Sequence, residues 1–344
     1  MSRLLLTLPL LLAACAPAVR GPVTFPDVQA TLPAPPDPAQ LRVLIMGDQG
    51  KGGNLQRQVA QAMQAVCQQQ GCDLGVGLGD NFYPQAPKEA TDPAFQQRFA
   101  DLYGPLGIPF LMVAGNHDES WVSGGDGGDP AALRSELDYA RLNPQWVMPA
   151  RSYRARWGQL AEFFVVDTAP LAAYLPVRDP SFRPGGPFDL GQRAWLKTQV
   201  LDSDARWNIV LGHHPLLNNG KHGPAGNYDF GLLPWGRGDS VKALYQGVCS
   251  HADLIASGHD HTLQLFGPGT AVCPGTPVLV SGAAGEVTGR GVGTTPALFQ
   301  TFNQPGFFWM QLTATTLELR VYTADAAGGP SLAYTQTFSK AGGR

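Results

Sequence analysis

Five short apolar runs in this chain break off in the same way, in a glycine followed by Asp, Asn or His. They read LRVLIMGDQG (41–50), DLGVGLGDNFY (73–83), IPFLMVAGNHD (108–118), WNIVLGHHP (207–215) and ADLIASGHDH (252–261). Apolar stretches this short, bounded by turn residues, read as strands buried on both faces. The segment after the first run carries Leu55, Val59, Ala62, Met63 and Val66 at helical spacing, with Asn54 as its cap. Phe95 to Tyr103 reads as a second helix. Strand, helix, strand, helix, strand calls for a parallel sheet with right-handed crossovers. Open sheets of that kind gather their ligand sites at the carboxyl ends of the strands, where the polar clusters stand.

The remainder adds strands at SYRARW (152–157) and LAEFFVVDT (160–168), then a helix from Leu190 to Leu201 with Asp189 as its cap. Further strands follow at LQLF, PVLVSGA, FFWMQLTA, LELRVYTA and LAYTQTFS, whereas 121–150 is irregular around SGGDGGDP. No internal repeat and no strong linker interrupts the chain after residue 40. The expectation is one α/β domain over 41–340, a four-layer αββα sandwich of two stacked mixed sheets flanked by helices. Its 42 glycines and 30 prolines fit such a turn-rich fold rather than a helical bundle. A net charge of -3, without a Lys/Arg-rich run, argues against a nucleic-acid partner.

The first twenty residues, MSRLLLTLPLLLAACAPAVR, have the form of an export leader, with Arg3 ahead of an apolar stretch too short to span a bilayer. Leu12-Ala13-Ala14-Cys15 resembles a bacterial lipobox. In that reading 1–14 is a signal peptide and Cys15 carries the lipid that anchors the protein to a membrane of the cell envelope. The alternative is cleavage near Ala14 or Ala16 by an ordinary signal peptidase. The prolines between residues 21 and 40 suggest that 15–40 is an extended, unpacked tether. With Cys15 set aside, Cys67, Cys72, Cys249 and Cys273 remain, an even number in an exported chain. Four cysteines allow three pairings. We expect the local one, Cys67–Cys72 and Cys249–Cys273, since neither pair has C-x-x-C metal spacing.

Six of the seven histidines lie in or beside the motifs, at 117, 213, 214, 222, 259 and 261; only His251 stands apart. Imidazoles together with Asp48, Asp80 and Asn116 form a donor set suited to zinc, iron or manganese, whereas calcium would want more oxygen. The set is large enough for two ions, which together can hold the attacking and leaving oxygens of a phosphoryl displacement.

In their order and spacing, GDQG, GDNFY, GNHD, GHHP and GHDH resemble the calcineurin-like metallophosphoesterases, and within them the purple acid phosphatases of the tartrate-resistant type. The resemblance spans 41 to about 285. It implies a dinuclear centre, with Asp48, Asp80, Tyr83 and His261 holding an Fe(III). Asp80 would bridge to a second site of Asn116, His213 and His259, occupied by Fe(II), Zn(II) or Mn(II). It gives Tyr83 the role of a phenolate ligand; the plain alternative is an aromatic packed at a strand end. It makes His117 a phosphate contact, and His222 a phosphate contact or the acid that protonates the departing alkoxide. His222 could instead be an exposed loop residue. His214 stands where the tartrate-resistant type has tyrosine, and Gln49 where tryptophan is common; both put substrate preference in doubt more than chemistry.

The activity implied is that of an acid phosphatase acting on small phosphomonoesters by attack of a metal-bound hydroxide, without a phosphoenzyme. The expected state is monomeric. A phosphodiesterase or nucleotidase on the same metal core is the rival within hydrolases, because loops decide the pocket walls. A non-catalytic phosphate-binding lipoprotein is the rival outside them, yet it should have lost ligands that this chain keeps.

Overall fold

The computed structural model describes residues 25–228 and 234–340. Cys15 and the leader lie outside the described residues. In chain order the strands begin with β1 (Gln29–Ala30), β2 (Gln40–Met46), β3 (Leu74–Gly77), β4 (Phe110–Met112) and β5 (Trp146–Val147). They continue with β6 (Tyr153–Trp157), β7 (Ala161–Val165), β8 (Trp207–Leu211), β9 (Leu254–Ser257) and β10 (Leu263–Phe266). The last are β11 (Val278–Ser281), β12 (Phe299–Thr301), β13 (Gly306–Thr313), β14 (Thr316–Ala324) and β15 (Pro330–Ser339). The principal helices are α1 (Asn54–Gln70), α2 (Arg134–Tyr139), α3 (Pro187–Asp202) and α4 (Asp239–Gln246).

Two mixed sheets result. One has seven strands in the order β15-β14-β13-β2-β3-β4-β5, the other eight in the order β1-β6-β7-β8-β9-β11-β10-β12. Each is parallel at its centre, through β2, β3 and β4 in the first and β7, β8 and β9 in the second. Period-two alternation divides the side chains of the second sheet between two cores. Phe163, Ile209 and Ala256 enter the core shared with the first sheet. Phe164, Val210 and Ile255 turn outward into a core with Trp195 and Leu196 of α3 and Leu244 of α4. Helix α1 lies against β13, β14 and β15 through buried Val59, Met63 and Val66. Helices thus flank a pair of stacked sheets, the expected four-layer order, and the carboxyl ends of both parallel centres open on the same side.

Several local expectations need correction. Asn54 is the first residue of α1 rather than its cap; Gly53 holds the cap position in extended backbone, and the Asn54 side chain accepts from Arg57. Asp189 lies inside the first turn of α3, which starts two residues earlier because Pro187 suits a position that needs no N–H. There Asp189 is buried, accepting from Gly185 N at 2.7 Å and from Arg193 Nε at 2.6 Å. The helix over 93–103 is wound as a π turn across Gln96–Ala100.

The described part of the tether is packed. Phe25 meets Phe188 and Trp195 at ring separations of 5.5 and 5.6 Å, and Asp27 pairs with Arg154 at 2.8 Å. Strand β1 pairs with the edge of β6. The apolar residues set among the prolines, Phe25, Val28 and Ala30, gave this segment something to bury, and β6 offered unpaired backbone groups. Both expected disulfides are present. Cys67–Cys72 closes the exit of α1, and Cys249–Cys273 ties the exit of α4 to the segment that enters β11.

Candidate metal centre

Each candidate ligand stands in the turn that ends a parallel strand. Asp48 follows β2, Asp80 and Tyr83 follow β3, and Asn116 follows β4; His213 follows β8, while His259 and His261 follow β9. Three of them, Asp48, Asp80 and His259, hold left-handed backbone at φ of 59°, 52° and 66°. Non-glycine residues rarely adopt it, and such strain concentrates at functional sites. The glycine ahead of Asp48, Asp80, Asn116, His213 and His259 has a steric reason. A Cβ on Gly115 would lie 2.1 Å from the backbone nitrogen of Asp80, and one on Gly79 would lie 2.6 Å from Nδ1 of His213. The turns approach so closely that only glycine fits between them.

The side chains converge as two groups that share Asp80. In the first, the Tyr83 hydroxyl lies 3.2 Å from Asp48 Oδ1, 2.9 Å from Asp80 Oδ2 and 3.2 Å from His261 Nε2. In the second, Asn116 Oδ1 lies 2.9 Å from both His213 Nε2 and His259 Nδ1, and His213 Nε2 is 3.4 Å from Asp80 Oδ1. One carboxylate oxygen of Asp80 therefore faces each group. His259 and His261 serve different groups. Strand β9 ends at Ser257, and the left-handed backbone of His259 turns the chain between them.

The donor and acceptor count fits a bound cation. The phenol has a single proton for three neighbours rich in lone pairs. His213 Nδ1 lies 2.8 Å from the carbonyl of Leu78, which can only accept, so Nδ1 carries a proton there and Nε2 is the nitrogen that faces Asn116 and Asp80. Burial pushes Asp48 well above the ordinary carboxylate range, and the charge of Asp80 adds to this. Burial acts in the same direction on Asp80, but His213, His117 and hydrogen bonds from His117 N and Tyr83 outweigh it and hold that carboxyl at about 2. Burial and the same two carboxylates push the Tyr83 phenol well up. Only a positive charge between these groups would favour a phenolate. Burial, with the neighbouring imidazoles, keeps His259 well below its ordinary value and therefore neutral, the form a metal ligand needs.

A cavity of about 230 Å³ opens over the two groups. His117 and His222 both line it. His117 Nδ1 lies 2.8 Å from the carbonyl of Pro84, and its ring is 4.3 Å from that of Tyr83. The His222 ring is 4.9 Å from His259 and 5.9 Å from His261. His214 is buried beside them with Nδ1 3.0 Å from the Thr168 hydroxyl, and burial keeps it well below its ordinary pKa. It lines the cavity, whereas His213 is the one in contact with Asn116 and Asp80.

Sequence reasoning missed two layers. Glu286 sits 3.4 Å from His261 Nδ1 and pairs at 2.6 Å with Lys51, whose ammonium lies 4.1 Å from the centre of the Tyr83 ring. Beneath the site, Asp118 accepts from the backbone nitrogens of Asn81, Phe82 and Gly115, joining the second and third motifs. Asn81 also donates to Glu136 of α2 and accepts from Gln49. Burial and the charge of Asp80 raise Asp118 to about 8. Asp118 and Asn81 could have been found, since both lie inside quoted motifs. Glu136 and Glu286 carry no local signal.

Residues 41–263 match the family described as calcineurin-like phosphoesterase. The chain is 30% identical over 314 residues to purple acid phosphatase 4 of Arabidopsis thaliana, covering 87% of this chain and 84% of that protein. It is 30% identical over 242 residues to tartrate-resistant acid phosphatase type 5 of Mus musculus, covering 65% of this chain and 67% of that one. The fold is shared with a purple acid phosphatase from yellow lupin seeds, at a TM-score of 0.59 and 18% identity over 90% of this chain and 56% of that one. It is also shared with GAP50, the anchor in the inner membrane complex of Plasmodium, at 0.64 and 21% over 88% and 90%. The ligand-bearing turns all fall inside the matched region, and the chain belongs to the calcineurin-like phosphoesterases and, among them, to the purple acid phosphatases, metal-dependent hydrolases of phosphoric esters.

Proposed function

We propose that Asp48, Asp80, Tyr83 and His261 hold an Fe(III), and that Asp80, Asn116, His213 and His259 hold a divalent Fe, Zn or Mn ion beside it. The substrates would be small phosphomonoesters. The observation that supports this most directly is the disposition of Asp80, with Oδ2 at the tyrosine group and Oδ1 at the imidazole group. Two cations there would supply water activation and neutralise charge on the phosphoryl oxygens. The protein's own groups orient the ester. His117, with Nδ1 committed to the carbonyl of Pro84, lines the cavity where it would contact a phosphate oxygen. His222, whose ring lies 4.9 Å from that of His259, would donate a proton to the departing alkoxide oxygen. Burial of Asp48, Asp80 and His213 excludes water from the floor and strengthens each charge–charge contact.

Phosphodiesters and nucleotides are the second reading, because loops supply most of the described cavity walls. The upstream segment supports export, with Cys15 as a lipid anchor holding the enzyme at a membrane of the cell envelope. The test is metal analysis and a visible spectrum of the iron-reconstituted protein, followed by rates on a panel of phosphomonoesters and diesters. Two ions per chain, a purple to pink colour and faster monoester turnover are expected. A colourless protein loaded with zinc alone would defeat the Fe(III) assignment.

A further inference from the structure

The glycine-rich excursion SGGDGGDP has no part in the chemistry above, yet it touches the ligand set. Asp126 is fully buried in it. Its Oδ1 accepts from Ser120 Oγ at 2.5 Å and from the backbone nitrogens of Trp121 and Val122 at 3.0 Å each; its Oδ2 accepts from Gly128 N at 2.8 Å. This carboxylate is the hub on which residues 120–128 are wound. The wound loop points the carbonyl of Gly125 at the side chain of Asn116, whose Nδ2 donates to it at 2.7 Å. Gly127 N closes the contact from the other side by donating to the carbonyl of Asn116 at 3.2 Å.

An asparagine amide has two ends of nearly equal size and opposite hydrogen-bonding character. A cation requires the oxygen. The imidazole nitrogens that face this amide, His213 Nε2 and His259 Nδ1, each lie 2.9 Å from Asn116 Oδ1, and an imidazole nitrogen can accept from an N–H or donate to an oxygen, so they alone do not stop the amide from turning over. The Gly125 carbonyl opposes the turn, because it accepts only from the NH2 end. Space is also closed. A Cβ on Gly125 would lie 2.6 Å from Asn116 Nδ2 and 2.4 Å from His117 Nε2, and φ there is +73°.

We infer that Asp126 is a positioning residue for the second metal site: by holding the Gly125 carbonyl on Asn116 it keeps the amide oxygen facing His213 and His259 before any ion arrives. The inference rests on the dinuclear reading given above. It confines the effect of the loop to one ion, since Tyr83, Asp48 and His261 make no contact with it.

The experiment uses the full-length protein reconstituted with iron and dialysed against buffered Mn(II), with both ions quantified per chain and the visible band recorded. The variants are Asp126→Ala, Asp126→Asn and Gly125→Ala. Asp126→Asn keeps an oxygen for the three donors on one side and loses only the acceptor for Gly128. The expected result is Mn(II) affinity at least about tenfold weaker in Asp126→Ala and Gly125→Ala, with a smaller loss in Asp126→Asn. The iron content and band should stay at the parental level in all three. Mn(II) affinity within twofold of the parent in Asp126→Ala overturns the inference. So does loss of both ions from Asp126→Ala when Asp126→Asn binds both as the parent does, because that pattern marks a fold defect. A parent that takes up a single ion overturns the dinuclear reading itself, before any variant is compared.

Discussion

Tyr83 donates one proton into a ring of acceptors, and its contacts separate two functions that a single substitution can tell apart. Replacing it with phenylalanine keeps the ring against His117 and removes only the oxygen that faces Asp48, Asp80 and His261. Tyr83→Phe should abolish the visible charge-transfer band and weaken iron binding while leaving the circular dichroism unchanged; an unaltered band would make the tyrosine a packing residue. Asp80 offers a second test, because its two oxygens serve different groups. Asp80→Asn should weaken both ions and lower turnover by on the order of a hundredfold or more, whereas Asn116→Ala should disturb only the divalent ion. Equal metal content in Asp80→Asn and the parent would contradict a shared ligand. Asp80 and Asn116 were legible in the sequence because each follows a glycine at the end of an apolar run, and Tyr83 because it stands three residues beyond Asp80. The glycine is forced by the close approach of neighbouring turns, so motif and geometry have the same cause. Glu286 and Glu136 were not legible. Each reaches its partner, His261 or Asn81, only after the chain has folded back, and an isolated glutamate leaves no periodic or spacing signal.

Among the elements, most buried strands were read correctly because apolar runs closed by turns have few other solutions, although the ladder ends before the polar tail of each run, as at Leu211 of β8, and β5 lies in a stretch expected to be irregular. The segment before β2 was misread because proline content masked three apolar residues. Its packing rests on Asp27, which bonds Arg154 and, at 3.1 Å, Trp195 of α3. Partial burial opposes ionisation of Asp27, but the hydrogen bonds to Arg154 and Trp195 outweigh it and lower its pKa below the ordinary 3.8. A carboxyl with a depressed folded pKa contributes stability above its unfolded value and loses it as pH falls through the folded one. The segment should therefore stay docked at pH 5 and loosen in the range below about 4. Protection of the Ala30 amide against hydrogen exchange should fall there, and Asp27→Ala should show the lower protection at every pH. Slow exchange in Asp27→Ala would mean that Phe25 and β1 suffice alone.

At the scale of the whole molecule, the proposed ions and the proposed lipid anchor each have a measurable consequence. Ligands that bind only the folded state stabilise it by mass action, about 2.7 kcal/mol when free ligand is a hundred times its dissociation constant. Chelation should accordingly lower the thermal midpoint, and restored ions should raise it again in a calorimeter; an unmoved midpoint would show that no ion is held tightly. Cys15→Ser should release the enzyme from the membrane fraction and abolish labelling by radioactive palmitate, and equal labelling of variant and parent would exclude a lipid on that residue. The architecture also carries a consequence in time. Asp48, Asp80 and Asn116 come from the centre of one sheet, and His213, His259 and His261 from the centre of the other. Strand β2, which leads to Asp48, takes its antiparallel neighbour β13 from the far end of the chain. A polypeptide emerging from its amino terminus thus has no finished cradle until the final hairpins arrive, so the choice among competing ions falls to the completed fold and to the compartment in which completion happens.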